Sequence, residues 1–187
     1  MTKVKGVALL SRIQMLRDKF GQEAYDQVMQ GVTAETRALL TGGALLSSSW
    51  YDADSFKDLN QTIFRVMRAK EPDIMQKLGE FTAELSLSTI HKVKVKENAP
   101  EETIKRVPGL WSAFHDTGDI EITNVGPGEI IMTMKNYGLP HREFCQNLLG
   151  WARKLISLSG GKNATAVETI CVTRGDEHCE IHIKWEM

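Results

Sequence analysis

An α+β fold, with a helical N-terminal half packed on a four-stranded antiparallel sheet, is predicted by three features of the sequence. Apolar residues recur at helical spacing through the first two thirds of the chain. The period changes to two after Gly118. The chain then closes in a ββαββ order whose last strand, with Cys179, Ile181, Ile183 and Trp185 on one side, is its plainest alternation.

The first helix is predicted over about Leu9 to Phe20, where Leu9, Ile13, Leu16 and Phe20 share a face and Gly21 follows as a stop. A second runs from Gln22 to Gln30. Thr33 caps a third, which ends before Gly42-Gly43. Trp50-Tyr51-Asp52 leads into a helix bearing Phe56, Leu59, Ile63 and Val66. Pro72-Asp73 opens another, with Ile74, Leu78, Phe81 and Leu85 in register. Pro100 starts a further helix, which Pro108 kinks or interrupts before Trp111 and Phe114. The segment from Lys92 to Asn98 reads as a mobile loop.

In the sheet half, Ile120 and Ile122 mark one strand and Ile130, Met132 and Met134 the next, with a turn at Val125-Gly126-Pro127-Gly128. Pro140 opens a long helix to about Ser157, striped by Phe144, Leu148, Trp151 and Leu155. Val167 to Thr173 forms the third strand, and Arg174-Gly175-Asp176 the turn into the fourth. No repeat or linker divides the chain, so residues 1–187 read as one domain.

Composition narrows the function. A net charge of −1 leaves no basic excess for a phosphate backbone, so a nucleic-acid partner is not expected. No apolar run approaches bilayer length. The short apolar stretch near the N-terminus is broken by Arg12, so neither a membrane span nor a secretory signal is expected and the compartment reads as cytoplasmic. Phosphate-loop, nucleophile-elbow and metalloprotease motifs are absent from the sequence, which reads as non-enzymatic.

The three cysteines fall in the last quarter. With a three-residue turn at Arg174–Asp176, Cys171 faces Cys179, at a separation that suits a disulfide or a soft metal. Cys145 on the preceding helix and Glu168 complete a tetrahedral set for which zinc is the natural ion. Against this stand two points. Free cysteines often serve as small buried hydrophobes. In a regular strand Glu168 also points away from Cys171 unless a bulge intervenes. The histidines form no catalytic set. His178 and His182 lie on the exposed side of the last strand, His91 heads a run with Lys92, Lys94 and Lys96, and His115 fits a helix C-terminus. Trp50, Tyr51, Trp111 and Phe114 flank helix ends, where they either line an apolar pocket or pack the core.

Glu168-Thr169-Ile170-Cys171, then Gly175, then Cys179-Glu180-Ile181 resembles the ending of 4-vinyl-reductase-type domains. These share a superfamily with TRAPP tethering subunits, heme nitric-oxide sensors and phenol-responsive regulators. Lys5-Gly6, Trp50-Tyr51, Leu78-Gly79 and the closing Trp185 resemble a narrower, uncharacterised myxobacterial family. The resemblance spans nearly the whole chain. It implies a usually dimeric domain with an interior pocket for a hydrophobic or aromatic ligand. It also implies a structural zinc on Cys145, Glu168, Cys171 and Cys179, at intervals that match the phenol-sensing relatives. Heme is set aside, because neither His91 nor His115 is readily placed on a helix facing a cavity.

The expected function is therefore a non-enzymatic sensor for a small hydrophobic molecule or lipid. It is expected to act as a homodimer and to signal to a downstream protein. The alternative is a TRAPP-like interaction module with a packed core and no ligand.

Overall fold

The computed structural model of the chain describes residues 1–88 and 95–187. His91, Lys92 and Lys94 lie outside the described residues, as does part of the loop expected at Lys92–Asn98.

The helical half begins with a short strand β1 (Lys3–Lys5), followed by α1 (Gly6–Met15), α2 (Gly21–Gly31) and α3 (Ala34–Thr41). A second short strand β2 (Trp50–Asp52) leads into α4 (Ala53–Met67), and α5 (Ile74–Ser88), α6 (Pro100–Ile104) and α7 (Val107–Phe114) follow. The sheet half contains β3 (Asp119–Gly126), β4 (Glu129–Lys135), α8 (Arg142–Leu158), β5 (Lys162–Ile170) and β6 (Cys179–Glu186). The four long strands are antiparallel in the order β3-β4-β6-β5. The predicted α+β architecture and its ββαββ ending are therefore those of the protein.

Burial explains the layering. Ile130, Met132 and Met134 of β4 join Cys179, Ile181, Ile183 and Trp185 of β6 in the core, as period-two alternation requires. On α8, Phe144, Leu148, Leu149, Ala152, Leu155 and Ile156 are buried on the helical period. Thr33 caps α3 by accepting a hydrogen bond from Thr36 N, and its hydroxyl also donates to Asp58 at 2.9 Å. Thr33→Ala is expected to lower the denaturation free energy by about 1 kcal/mol, read as a shifted urea midpoint at unchanged slope.

Several expectations need local correction. Helical residues after Met15 widen into a π-type turn, Leu16–Phe20, which Gly21 ends at φ +80°. Trp50–Asp52 is a strand, because its backbone pairs with Lys3–Lys5. Pro108 sits in the first turn of α7, where its missing N–H costs nothing, so it starts that helix and does not kink one. β5 runs from Lys162 to Ile170, not from Val167 to Thr173. Val172–Arg174 turns as a single 3₁₀ turn, closed by Gly175 at φ +99° and by Asp176 Oδ2, which accepts from Cys171 N at 2.7 Å. Among the described residues, no helix is long and apolar enough to cross a membrane.

Candidate functional site

The helical half meets the sheet half along a seam that holds a partly open cavity of about 60 Å³. α1 contributes Ala8 and Arg12 to its wall, α4 Phe56, β4 Met132, and α8 Phe144, Asn147 and Leu148. α7 and its C-cap add Val107, Leu110, Trp111 and His115. Half-buried Thr82, Phe114 and Trp151 complete the wall. The cavity is thus largely apolar, with four polar side chains, Arg12, Thr82, His115 and Asn147, brought to it from four different elements.

Arg12 is the first of these. It falls on the apolar stripe of α1 beside Leu9, Ile13 and Leu16, so burying that stripe buries the guanidinium as well: Arg12 is only 2% exposed. Its Nε donates to Asn60 Oδ1 at 2.6 Å, and Nη1 donates to the Ala8 carbonyl at 2.8 Å. Longer bonds, both 3.4 Å, run from Nη1 to Ser11 Oγ and from Nη2 to Asn147 Oδ1. Its Cζ lies 4.3 Å from the centre of the Phe56 ring. Burial lowers its pKa to about 9, which leaves it charged near neutral pH.

The network continues through Asn60, whose Nδ2 donates to His141 Nε2 at 2.9 Å. His141 Nδ1 faces the Leu139 carbonyl at 3.0 Å, so the ring carries its proton there and accepts at Nε2. Burial pushes His141 down to about 4, despite the Leu139 bond, which acts the other way. His115 is pushed down further, to about 3, by burial first and then by the nearby Arg12 and His141. Both rings are neutral at pH 7, and Arg12 carries the charge of the network.

His115 lies within an aromatic cluster. It stacks on Trp111 at a centroid distance of 4.3 Å and meets Phe144 at 5.2 Å, Tyr137 at 5.4 Å and Phe56 at 6.1 Å. The Tyr137 hydroxyl approaches His115 Nδ1 at 3.4 Å.

The four aromatic residues expected to line a pocket divide. Trp111 and Phe114 stand in the cavity wall. Trp50 and Tyr51 do not, because the β1–β2 pairing commits them elsewhere. Trp50 is 40% exposed with Lys5 Nζ 4.1 Å over its ring, and the Tyr51 hydroxyl ties down the preceding loop at Leu46 N and the Ala44 carbonyl.

The three thiols do come together, with Cys145–Cys171 at 3.5 Å and Cys171–Cys179 at 3.7 Å between sulfurs, all buried. Hydrogen bonding with Cys145 favours the thiolate of Cys179, which is lowered to about 6, and the same bond and burial push Cys145 up. Glu168 is committed elsewhere. Its side chain, only 4% exposed, pairs with Arg142 and, at 3.6 Å, with Arg174. The register of β5 does shift between Glu168 and Ile170, the one irregularity that would have let Glu168 join Cys171, but the carboxylate goes to these guanidiniums.

The sequence reading missed Arg12, Asn60, His141 and Asn147 as site residues, and it assigned His115 to a helix C-terminus without a role in a site. One signal was visible: a charged residue interrupting the apolar stripe of α1. Asn60 and Asn147 carry no such mark, since polar residues on a helix normally face water.

No family model matches the chain, and no curated protein matches it. Solved structures do. An Fe(II) unliganded H-NOX protein from K. algicida is 14% identical, with 98% of this chain and 97% of that one covered and a TM-score of 0.71. An H-NOX protein from S. oneidensis in the Fe(II)NO ligation state is also 14% identical, covering 98% and 99% at a TM-score of 0.70. A structure described under modulation of heme redox potential through porphyrin distortion is 12% identical, covering 96% and 99% at 0.67. At these identities the likeness is one of fold.

Three expectations are corrected by these matches. The neighbours are H-NOX proteins, not 4-vinyl-reductase-type or TRAPP-like domains. Zinc gives way as the expected cofactor, since the matched proteins are described by heme and ferrous iron and Glu168 is held by arginines. Heme is not set aside by the position of the histidines either, because His115 does stand in a cavity wall at the seam.

The seam nevertheless differs from a heme pocket in one respect. His115 offers a neutral ring of the kind that ligates iron. However, a cavity of about 60 Å³ is several-fold smaller than pockets that hold cofactor-sized ligands, and Trp111, His115 and Phe144 pack against one another within it. A porphyrin does not fit this packing.

Proposed function

We propose that this chain is a non-enzymatic sensor domain that receives a small molecule in the seam between its helical half and its sheet. One observation carries this reading: the cavity has a largely apolar wall into which the buried Arg12, His115 and Asn147 converge from separate elements. Such a wall orients a ligand by a few polar contacts while excluding water from the rest. The fold supports it, since structures of the same fold include one with nitric oxide on ferrous iron. The wall is shared by α1, α4, α5, α7, α8 and β4, so an occupant bears on how the two halves sit together. That is the way a ligand without chemistry of its own passes a signal to a protein partner, by favouring one arrangement over another. A lipid and a second copy of the chain have no part in this reading.

The test uses the full chain, purified and examined by native mass spectrometry and visible absorption. It is followed by xenon pressure with methyl resonances of Leu110, Met132 and Leu148 observed. A bound small molecule, or xenon shifts confined to these methyls, supports a ligand seat. Protein free of adduct, with these methyls unmoved by xenon, overturns it.

A further inference from the structure

We propose that the seam is built for a ligand with a negatively charged end, a short-chain carboxylate whose carboxylate meets Arg12. Its alkyl tail lies against Phe56, Leu110, Met132 and Leu148. This rests on the reading of the seam as a ligand seat and names the chemistry of the occupant.

Arg12 is buried, and each of its hydrogen-bond partners is neutral: Asn60 Oδ1, the Ala8 carbonyl, Ser11 Oγ and Asn147 Oδ1. Among the described residues, no carboxylate forms an ion pair with it, and the cavity wall contains no Asp or Glu. A buried cation without a counter-charge is strongly unfavourable, and proteins normally pair it. Arg142, Arg153 and Arg174, all more exposed, each have a glutamate. The Phe56 ring offsets part of the cost through its quadrupole but carries no net charge. His115 and His141 are neutral and supply none either.

Donor capacity points the same way. A guanidinium has five N–H donors. Four bonds are made here, two of them at 3.4 Å, which leaves Nη2 with a donor to spare beside Asn147. A carboxylate oxygen takes such a donor in a short, charge-assisted bond that a neutral hydroxyl does not match.

Size sets the tail. At roughly 10–15 Å³ per water-sized position, a cavity of about 60 Å³ admits about four to six heavy atoms. A three- or four-carbon monocarboxylate meets that limit, whereas an aromatic acid exceeds it.

The test is calorimetric titration of the full chain with sodium butyrate and with 1-butanol, at constant ionic strength set by sodium chloride. Butyrate is expected to bind at least about tenfold more tightly than butanol. The preference should vanish in Arg12→Met while butanol binding remains. Met132→Phe, which leaves Arg12 in place and fills the tail region, should abolish both. Equal binding of the two probes to the unsubstituted chain overturns the charge assignment and leaves the ligand seat standing. Binding of neither probe, or binding indifferent to both substitutions, overturns the carboxylate proposal together with the seat.

Discussion

Stability should fall steeply as the pH drops below about 6.5, because folding holds two imidazoles neutral. In the unfolded chain His115 and His141 take up protons at the usual value of 6.5, whereas in the folded protein they do so only near 3 and 4. Between those limits the unfolded state binds more protons. The stabilisation is therefore intact above 6.5 and is lost progressively on the way down. Each ring contributes a slope approaching about 1.4 kcal/mol per pH unit, so the pair amounts to several kcal/mol by pH 4.5, a large share of a typical domain's stability. The carboxylates with lowered values, Glu102 and Glu129, act only below their ordinary 4.5, and Cys179, lowered to about 6, acts above 6, which leaves the window from 6 to 5 to the histidines. Urea midpoints at pH 7, 6 and 5 measure this directly. His115→Phe keeps a ring against Trp111 and Phe144 and removes one titration, so its slope should be about half that of the unsubstituted chain. A midpoint that stays flat from pH 7 to 5 would show that water reaches both rings.

This acid sensitivity comes from the part of the molecule that the sequence concealed. The layers were legible because burial and period agree. Ile130, Met132 and Met134 alternate on β4 and face the core, and Phe144, Leu148 and Leu155 recur on α8 and do the same. Thr33 was legible as a cap because its side chain does what a threonine does at a helix start. The seam was half legible. Trp111 and Phe114 stand in its wall, but Trp50 and Tyr51 were drawn in by the same argument about helix ends, and a strand pair between residues nearly fifty positions apart removed them. Periodicity is blind to such pairing when a strand is three residues long. The polar network was hidden for a different reason. Arg12, Asn60, His141 and Asn147 become partners only after α1, α4 and α8 are packed, and none of their spacings in sequence records that. The cysteines show the converse case: proximity of Cys171 and Cys179 was expected, and the sulfurs do meet, yet through a 3₁₀ turn and not through the regular hairpin that predicted it.

The largest single-residue effect is expected where α5 crosses α8. A methyl group added at Gly79 would lie 1.9 Å from the Asn147 carbonyl oxygen and 2.7 Å from Trp151 N, and one added at Gly150 would lie 1.9 Å from the Gln76 carbonyl oxygen. These are backbone atoms of the facing helix, so no side chain can turn aside and the helices themselves must separate. The pairing of Leu78 with Gly79, conspicuous in the sequence, is thus a demand for close approach. Helix propensity alone predicts the opposite sign, since alanine in place of glycine inside a helix gains roughly 1 kcal/mol. Gly79→Ala and Gly150→Ala should each instead cost about 3 kcal/mol or more, because overpacking here strains two backbones at once. Gly109 on α7 provides the control: nothing lies within 4 Å of an added methyl there, so Gly109→Ala should be neutral or slightly stabilising. Denaturant midpoints of the three variants separate the two effects. The consequence extends to the seam, because α8 carries Phe144, Asn147 and Leu148 into the cavity wall. Displacing α8 from α5 carries Asn147 away from Arg12 as well as from Met75, whose carbonyl it holds at 3.3 Å. Any Gly150→Ala protein that still folds should therefore show a weakened butyrate preference. If it binds butyrate as the unsubstituted chain does, the helix crossing and the ligand seat are mechanically independent.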